Sequence, residues 1–262
     1  MCRRWFGRDR AREWSARPTN VDAVLRAVAL VPSPPLLVPE LTGAGAVEAE
    51  AVRSAALEAA RMLGAVADRW LVVAAADRQA IIEPATGGSF AGFGVDVTVA
   101  LSPISSRIDS ELPLAALVAG WLRGEAAPQA SIEVRFLVRS TSTTDCRRIG
   151  SDLRAELDAT PESWGLLVVA DGATTLTAKA PGSFDDRAEG VQQRIDDALS
   201  AADPDALTGL DRTECAELGV DAFVVWLALA GVLGEDRPTA RTLYRGAPFG
   251  VGYYVGTWEL EG

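Results

Sequence analysis

The chain has 262 residues, 48% of them hydrophobic and 23% charged, a composition typical of a folded globular protein rather than a disordered one. It carries a net charge of −11 and contains no histidine at all. An acidic body repels phosphate backbones. Without imidazole there is no Ser-His-Asp relay, no His-ligated zinc site and no two-histidine-one-carboxylate iron site.

The charge is unevenly spread. Residues 1–17 hold six arginines against Asp9 and Glu13, a net of +4, so the remainder carries −15. Residues 1–20 are read as a basic, disordered extension, because termini are loose unless tied down; the alternative is an arginine tail that touches nucleic acid or anionic lipid. Residues 21–262 are read as a single domain. Lys179 is the only lysine, and the surplus of arginine with abundant alanine fits the codon bias of a GC-rich genome better than nucleic-acid recognition. Arg3-Arg4-Trp5-Phe6 has the outline of a twin-arginine export signal, but Arg8-Asp9-Arg10 and Arg12-Glu13 fill the place of the apolar stretch it needs. The best apolar run, Phe223 to Leu233, is too short to span a bilayer. Cys2, Cys146 and Cys215 form no C-x-x-C pair, which fits reduced thiols in a cytosol; Cys215, with no histidine to activate it, reads as a plain helix cysteine. A cytoplasmic protein with no membrane association is expected.

In chain order, β-branched apolar runs predict strands over Val24–Val31, Trp70–Ala75, Val95–Leu101, Ile132–Val138, Leu166–Ala170 and Val251–Trp258. Helical spacing predicts helices over Val47–Asp68, Leu112–Arg123, Arg147–Leu157, Arg187–Ala202 and Thr213–Leu233. Strands that are apolar on both faces and alternate with helices imply a three-layer α/β/α fold around a central sheet. Pro/Gly clusters at Pro32–Pro39, Pro84–Gly94 and Gly246–Gly252 read as loops at strand ends.

Open α/β sheets bind ligands beyond the carboxyl ends of their strands. Four prolines between Pro32 and Pro39 lock a turn that presents Ser33. Asp77 follows the second strand, and Asp171-Gly172 follows the fifth. Gly87-Gly88 and Gly92-x-Gly94 around Phe90 and Phe93 suggest a mobile loop, with a pocket cover as the alternative. Lys179 is expected to pair with Asp185 or Asp186, against the alternative of a Schiff-base or anion-binding role. Tyr253, Tyr254 and Trp258 read as core, and Ser102, Ser105 and Ser106 have no evident base.

These loops together resemble the class III extradiol ring-cleavage dioxygenase family, especially its actinobacterial branch. The anchors are Pro32-Ser33-Pro34-Pro35, Asp171-Gly172, Lys179-Ala180-Pro181-Gly182, Asp185-Asp186-Arg187-Ala188 and Ala247-Pro248-Phe249-Gly250-Val251-Gly252-Tyr253. The resemblance implies a mixed central sheet, commonly a dimer, and in active members an Fe(II) held by two His and one Glu that binds catechol and O₂. Carried over by position, the first metal histidine falls at Ser33, the second at Asp77 and the proton-shuttling histidine at Thr174. The ligand glutamate falls near Val220, with Glu217 and Asp221 the nearest carboxylates.

Serine is a poor Fe(II) ligand beside imidazole, and threonine cannot cycle a proton near neutral pH. The leading expectation is therefore a non-catalytic descendant with no cofactor, binding a small molecule or a protein partner in the cleft of Ser33, Asp77, Asp171 and Thr174. The alternative is a hydrolase or lyase holding Mg²⁺ or Mn²⁺ on Asp77, Asp171, Glu217 and Asp221. Against it, Asp77 reads equally as a cap and Asp171-Gly172 as a turn.

Overall fold

The structure, a computed structural model, describes residues 24–42 and 47–260; the arginine-rich extension lies outside the described residues. In chain order, β1 (Leu25–Val31) leads through a 3₁₀ turn (Pro35–Leu37) to α1 (Pro39–Thr42), α2 (Val47–Val66) and β2 (Arg69–Ala76). Short strands β3 (Ala80–Ile82), β4 (Thr86–Ser89), β5 (Thr98–Ala100) and β6 (Arg107–Ile108) precede α3 (Leu114–Ala126). Next come β7 (Ser131–Val138), α4 (Thr143–Asp158), β8 (Trp164–Val169), α5 (Ala188–Ser200), α6 (Pro204–Leu207), α7 (Arg212–Glu217) and α8 (Phe223–Leu233). The final pair is β9 (Thr239–Gly246) and β10 (Tyr253–Glu259).

The main sheet has seven strands in the order β3-β7-β2-β8-β1-β10-β9. Its four inner strands β7, β2, β8 and β1 run parallel, while β3, β10 and β9 pair antiparallel with their neighbours. The sheet is therefore mixed. Side chains alternate along each strand, so one strand feeds two cores. Val28, Leu30, Leu71, Val73, Leu166 and Val168 face α4, α5 and α8 on one side. Ala27, Ala29, Val31, Trp70, Val72, Leu167 and Val169 face α2 and α3 on the other. Burial on both faces is why these strands read as continuous apolar runs, and the architecture is three-layer α/β/α.

One helical segment departs from expectation. The run 213–233 is two helices rather than one, broken at Leu218–Ala222, where Gly219 takes φ +70°. Every residue of α8 is buried; a helix apolar all round belongs inside a core. Among the described residues no helix is long and apolar enough to cross a membrane.

The strand expected over Val95–Leu101 shortens to β5 and joins a separate sheet of order β5-β4-β6. The glycine-rich segment predicted as a mobile loop is β4 followed by a 3₁₀ turn over Phe90–Phe93, with Phe90 fully buried. It is absent from the walls of the crevice described below, so it does not cover it. Tyr253, Tyr254 and Trp258 are core residues as read. Cys146 and Cys215 are buried free thiols, pushed up to about 11 by desolvation.

Candidate functional site

The carboxyl ends of the four parallel strands deliver four loops to one edge of the sheet. Strand β1 ends before Ser33, β2 before Asp77, β7 before Arg139 and β8 before Asp171. The main chain continues the pairing past the strand ends: the Ala170 N–H donates to Val31 O at 2.9 Å and the Arg139 N–H to Ala76 O at 3.0 Å. Those two bonds set Asp171 beside Ser33 and Arg139 beside Asp77. Between the loops lies a crevice of about 640 Å³ walled by Ser33, Asp77, Arg78, Leu114, Phe136 and Arg139, among others.

The Pro-rich turn is held from below by Arg53 of α2. Its Nε donates to Leu37 O at 2.7 Å and its Nη2 to Leu36 O at 3.1 Å. With its backbone fixed, Ser33 grips Asp171 twice: the hydroxyl donates to Oδ2 at 2.6 Å and the N–H to Oδ1 at 2.9 Å. Asp171 keeps partial exposure as a residue, but its carboxylate is densely enclosed by protein. Burial, with Asp221's charge added, pushes its pKa up against the pull of the Ser33 bonds. Tyr253, buried nearby, has its phenol pushed up by burial and by the same Asp171 charge.

The second cluster is a charge chain. The Arg139 guanidinium donates from Nη1 to Asp77 Oδ1, while its Nε lies 3.0 Å from Asp221 Oδ2. Arg212 fixes the loop that carries Arg139, donating to Arg139 O and to Thr141 O, each at 2.6 Å. Asp77 is therefore an ion-pair partner rather than a helix cap. Arg139 is the residue that the sequence does not single out. An arginine after a strand carries no local signal; only the β2–β7 pairing brings it to Asp77.

Two expected members of the cleft are drawn elsewhere. The Thr174 N–H donates to Leu218 O at 3.0 Å, and a Cβ at Gly219 would collide with the Thr174 hydroxyl. Thr174 thus packs into the α7–α8 turn and is not a wall of the crevice. Glu217 pairs with Arg187 at 2.8 Å. Arg187 also takes Asp185 at 2.7 Å, holding that carboxyl down to about 2. Lys179 is exposed, and among the described residues it forms no ion pair; Asp185 goes to Arg187 because Arg187 reaches back only two residues to a forked contact.

The residues do not fit the iron that the family resemblance implies, nor the Mg²⁺ or Mn²⁺ alternative. Ser33's hydroxyl is committed to Asp171, and both Asp77 and Asp221 are neutralised by one guanidinium, which would repel a metal cation placed beside it. Among the described residues no group of three His, Cys, Asp or Glu could hold a metal ion. Asp77, Asp171, Glu217 and Asp221 therefore do not form the carboxylate cage that their chain positions suggested.

Beneath the crevice the remaining sequence anchors interlock through backbone. Gly172 N–H donates to Gly252 O at 2.8 Å, and Gly252 N–H donates to Ala173 O at 2.9 Å. The Gln192 amide fills the space between them, accepting from Ala173 N–H at 2.9 Å and donating to Asp196 at 2.8 Å. A Cβ at either Gly172 or Gly252 would strike Gln192. Leu176 N–H reaches Gly250 O at 3.1 Å, and Gly182 N–H reaches Thr174 O at 2.9 Å.

No protein-family model and no curated protein matches the chain. Among solved structures, an uncharacterized protein, JW3007, from Escherichia coli K12 is similar at 11% identity. The match covers 89% of this chain and 99% of that one, with a TM-score of 0.47. What this chain does is therefore argued from its own side chains.

Proposed function

We propose that the chain is a degenerate extradiol dioxygenase-like scaffold that has lost ring cleavage and binds a small molecule in the crevice at the carboxyl edge. The observation that carries this is the Asp77–Arg139–Asp221 bridge, together with the Ser33–Asp171 grip. At two positions where the family resemblance implies metal-binding histidines, the side chains are occupied by other partners. A fixed organic cation sits between two carboxylates where a metal centre would need open lone pairs. A crevice of about 640 Å³ lies within the usual range for small-molecule sites. Its walls combine apolar surface from Pro113, Leu114, Ala115 and Phe136 with polar groups from Ser33, Gln79 and the two arginines. A cytoplasmic location and a dimer follow from the reduced thiols and the family resemblance respectively.

Two measurements test the reading. Protein loaded with Fe(II) should consume no oxygen on addition of catechol; uptake that Asp77→Ala abolishes would overturn it. In thermal-shift titration, small aromatic carboxylates and catechols should include compounds that raise the melting temperature of wild type. Leu114→Trp, which fills the crevice, should remove that rise.

A further inference from the structure

Ser33 and Asp171 satisfy a geometric requirement that binding alone does not need. A hydroxyl becomes a nucleophile when a base lies within hydrogen-bond reach and is itself held in place. Ser33 is half-exposed and lines the crevice, and its hydroxyl proton points at Asp171 Oδ2, 2.6 Å away. The Ser33 N–H on Oδ1 fixes the carboxylate's plane, and Pro32 and Pro34 fix the backbone on either side. Enclosure strengthens Asp171 as a base over an exposed aspartate. The same crevice holds donors for a developing oxyanion. Arg139 is one; the first residues of α3, Leu114 and Ala115, are others, in a helix whose N-cap residue, Pro113, provides no side-chain cap.

We propose that Ser33 is an acyl acceptor served by Asp171, and that the crevice hydrolyses small carboxylic esters. The Ser33 oxygen bonds to the ester carbonyl carbon as its proton passes to Asp171 Oδ2. Collapse of the tetrahedral intermediate breaks the bond to the alcohol oxygen, which leaves with the proton from Asp171. Water then attacks the acyl carbon and gives its proton to Asp171. Ser33 takes that proton back as the carboxylic acid departs. This goes beyond the binding reading, shares its crevice and fails separately from it.

The test uses full-length protein, a fluorophosphonate probe and p-nitrophenyl acetate. Peptide mass spectrometry should find a single phosphonyl adduct, on Ser33. Ser33→Ala should lose both the adduct and the hydrolysis, and Asp171→Asn should slow both by about 10²-fold or more. Wild type supplies a reading that does not depend on a variant folding. Asp171 feels Ser33, Asp221 and Tyr253, with Arg139 beyond Asp221. Its protonation on acidification should switch labelling off above the ordinary carboxylate range. Ser33 left unlabelled, a rate in folded Asp171→Asn within about twofold of wild type, or a labelling rate proportional to hydroxide throughout would each overturn the proposal. Thermal-shift binding retained without any adduct would overturn acyl transfer and leave the binding reading intact.

Discussion

The two clusters at the carboxyl edge hold the same kind of group by opposite means. Asp171 is enclosed and takes two short hydrogen bonds from one serine, whereas Asp77 and Asp221 stand largely in solvent and share one arginine. An enclosed carboxylate is expensive to leave unpaired and costly to ionise. An exposed ion pair is screened, and contributes little. The first cluster therefore fixes geometry, and the second sets the charge and shape of the crevice mouth.

The largest effect should come from breaking the enclosed cluster. Asp171→Ala strands the Ser33 N–H and hydroxyl, and is expected to cost about 2–4 kcal/mol by urea unfolding. A loss below about 0.5 kcal/mol would erase the contrast between the clusters. Gly219→Ala comes next. It forces a Cβ into a φ of +70° against Thr174, at about 1–3 kcal/mol, and displaces the turn that carries Asp221 to Arg139.

A pH series sharpens the comparison further. The folded state raises the Asp171 pKa above its unfolded value, so in the window between the two the native state binds more protons. Its contribution is present below the unfolded value and is lost as pH rises through the folded one. The stability of wild type relative to Asp171→Asn should accordingly fall as pH climbs out of the ordinary carboxylate range. A rise over that window would contradict the enclosure of the carboxylate. The smallest effect is expected for Arg139→Ala, at about 0–1 kcal/mol, and it should shrink further in high salt. A Mn²⁺ titration of wild type belongs beside it: stoichiometric binding sensitive to Asp77→Ala would show that the guanidinium does not own the two carboxylates.

The parallel strands were legible because they are buried on both faces, so β1, β2, β7 and β8 appear as apolar runs. Strand β9 was not. Thr239–Gly246 is an edge strand with half-exposed, polar side chains, and its backbone pairing comes entirely from β10. Its Arg241 and Arg245 reach Glu58 and Asp197 on neighbouring helices, contacts that no local pattern encodes. Charged side chains of this kind also protect a sheet edge from pairing with another chain. The break in 213–233 escaped for a related reason. It is imposed at Gly219 by Thr174, a residue 45 positions upstream. Ser33, Asp77 and Asp171 could be picked out as loop residues at strand ends, and the structure brings them to one edge. Thr174 and Glu217 were counted into the cleft by spacing, but spacing does not report the local partner that captures a side chain.

The interlock of Gly172, Gly252 and Gln192 has a further consequence. It is written mostly in main-chain atoms, so it is indifferent to which side chains project above it. Selection can exchange those projecting groups one at a time without dismantling the floor on which they stand. Inheritance of shape and inheritance of chemistry are thereby uncoupled in this molecule. The platform is correspondingly suited to receiving new functional groups at Ser33 and Asp77 by design.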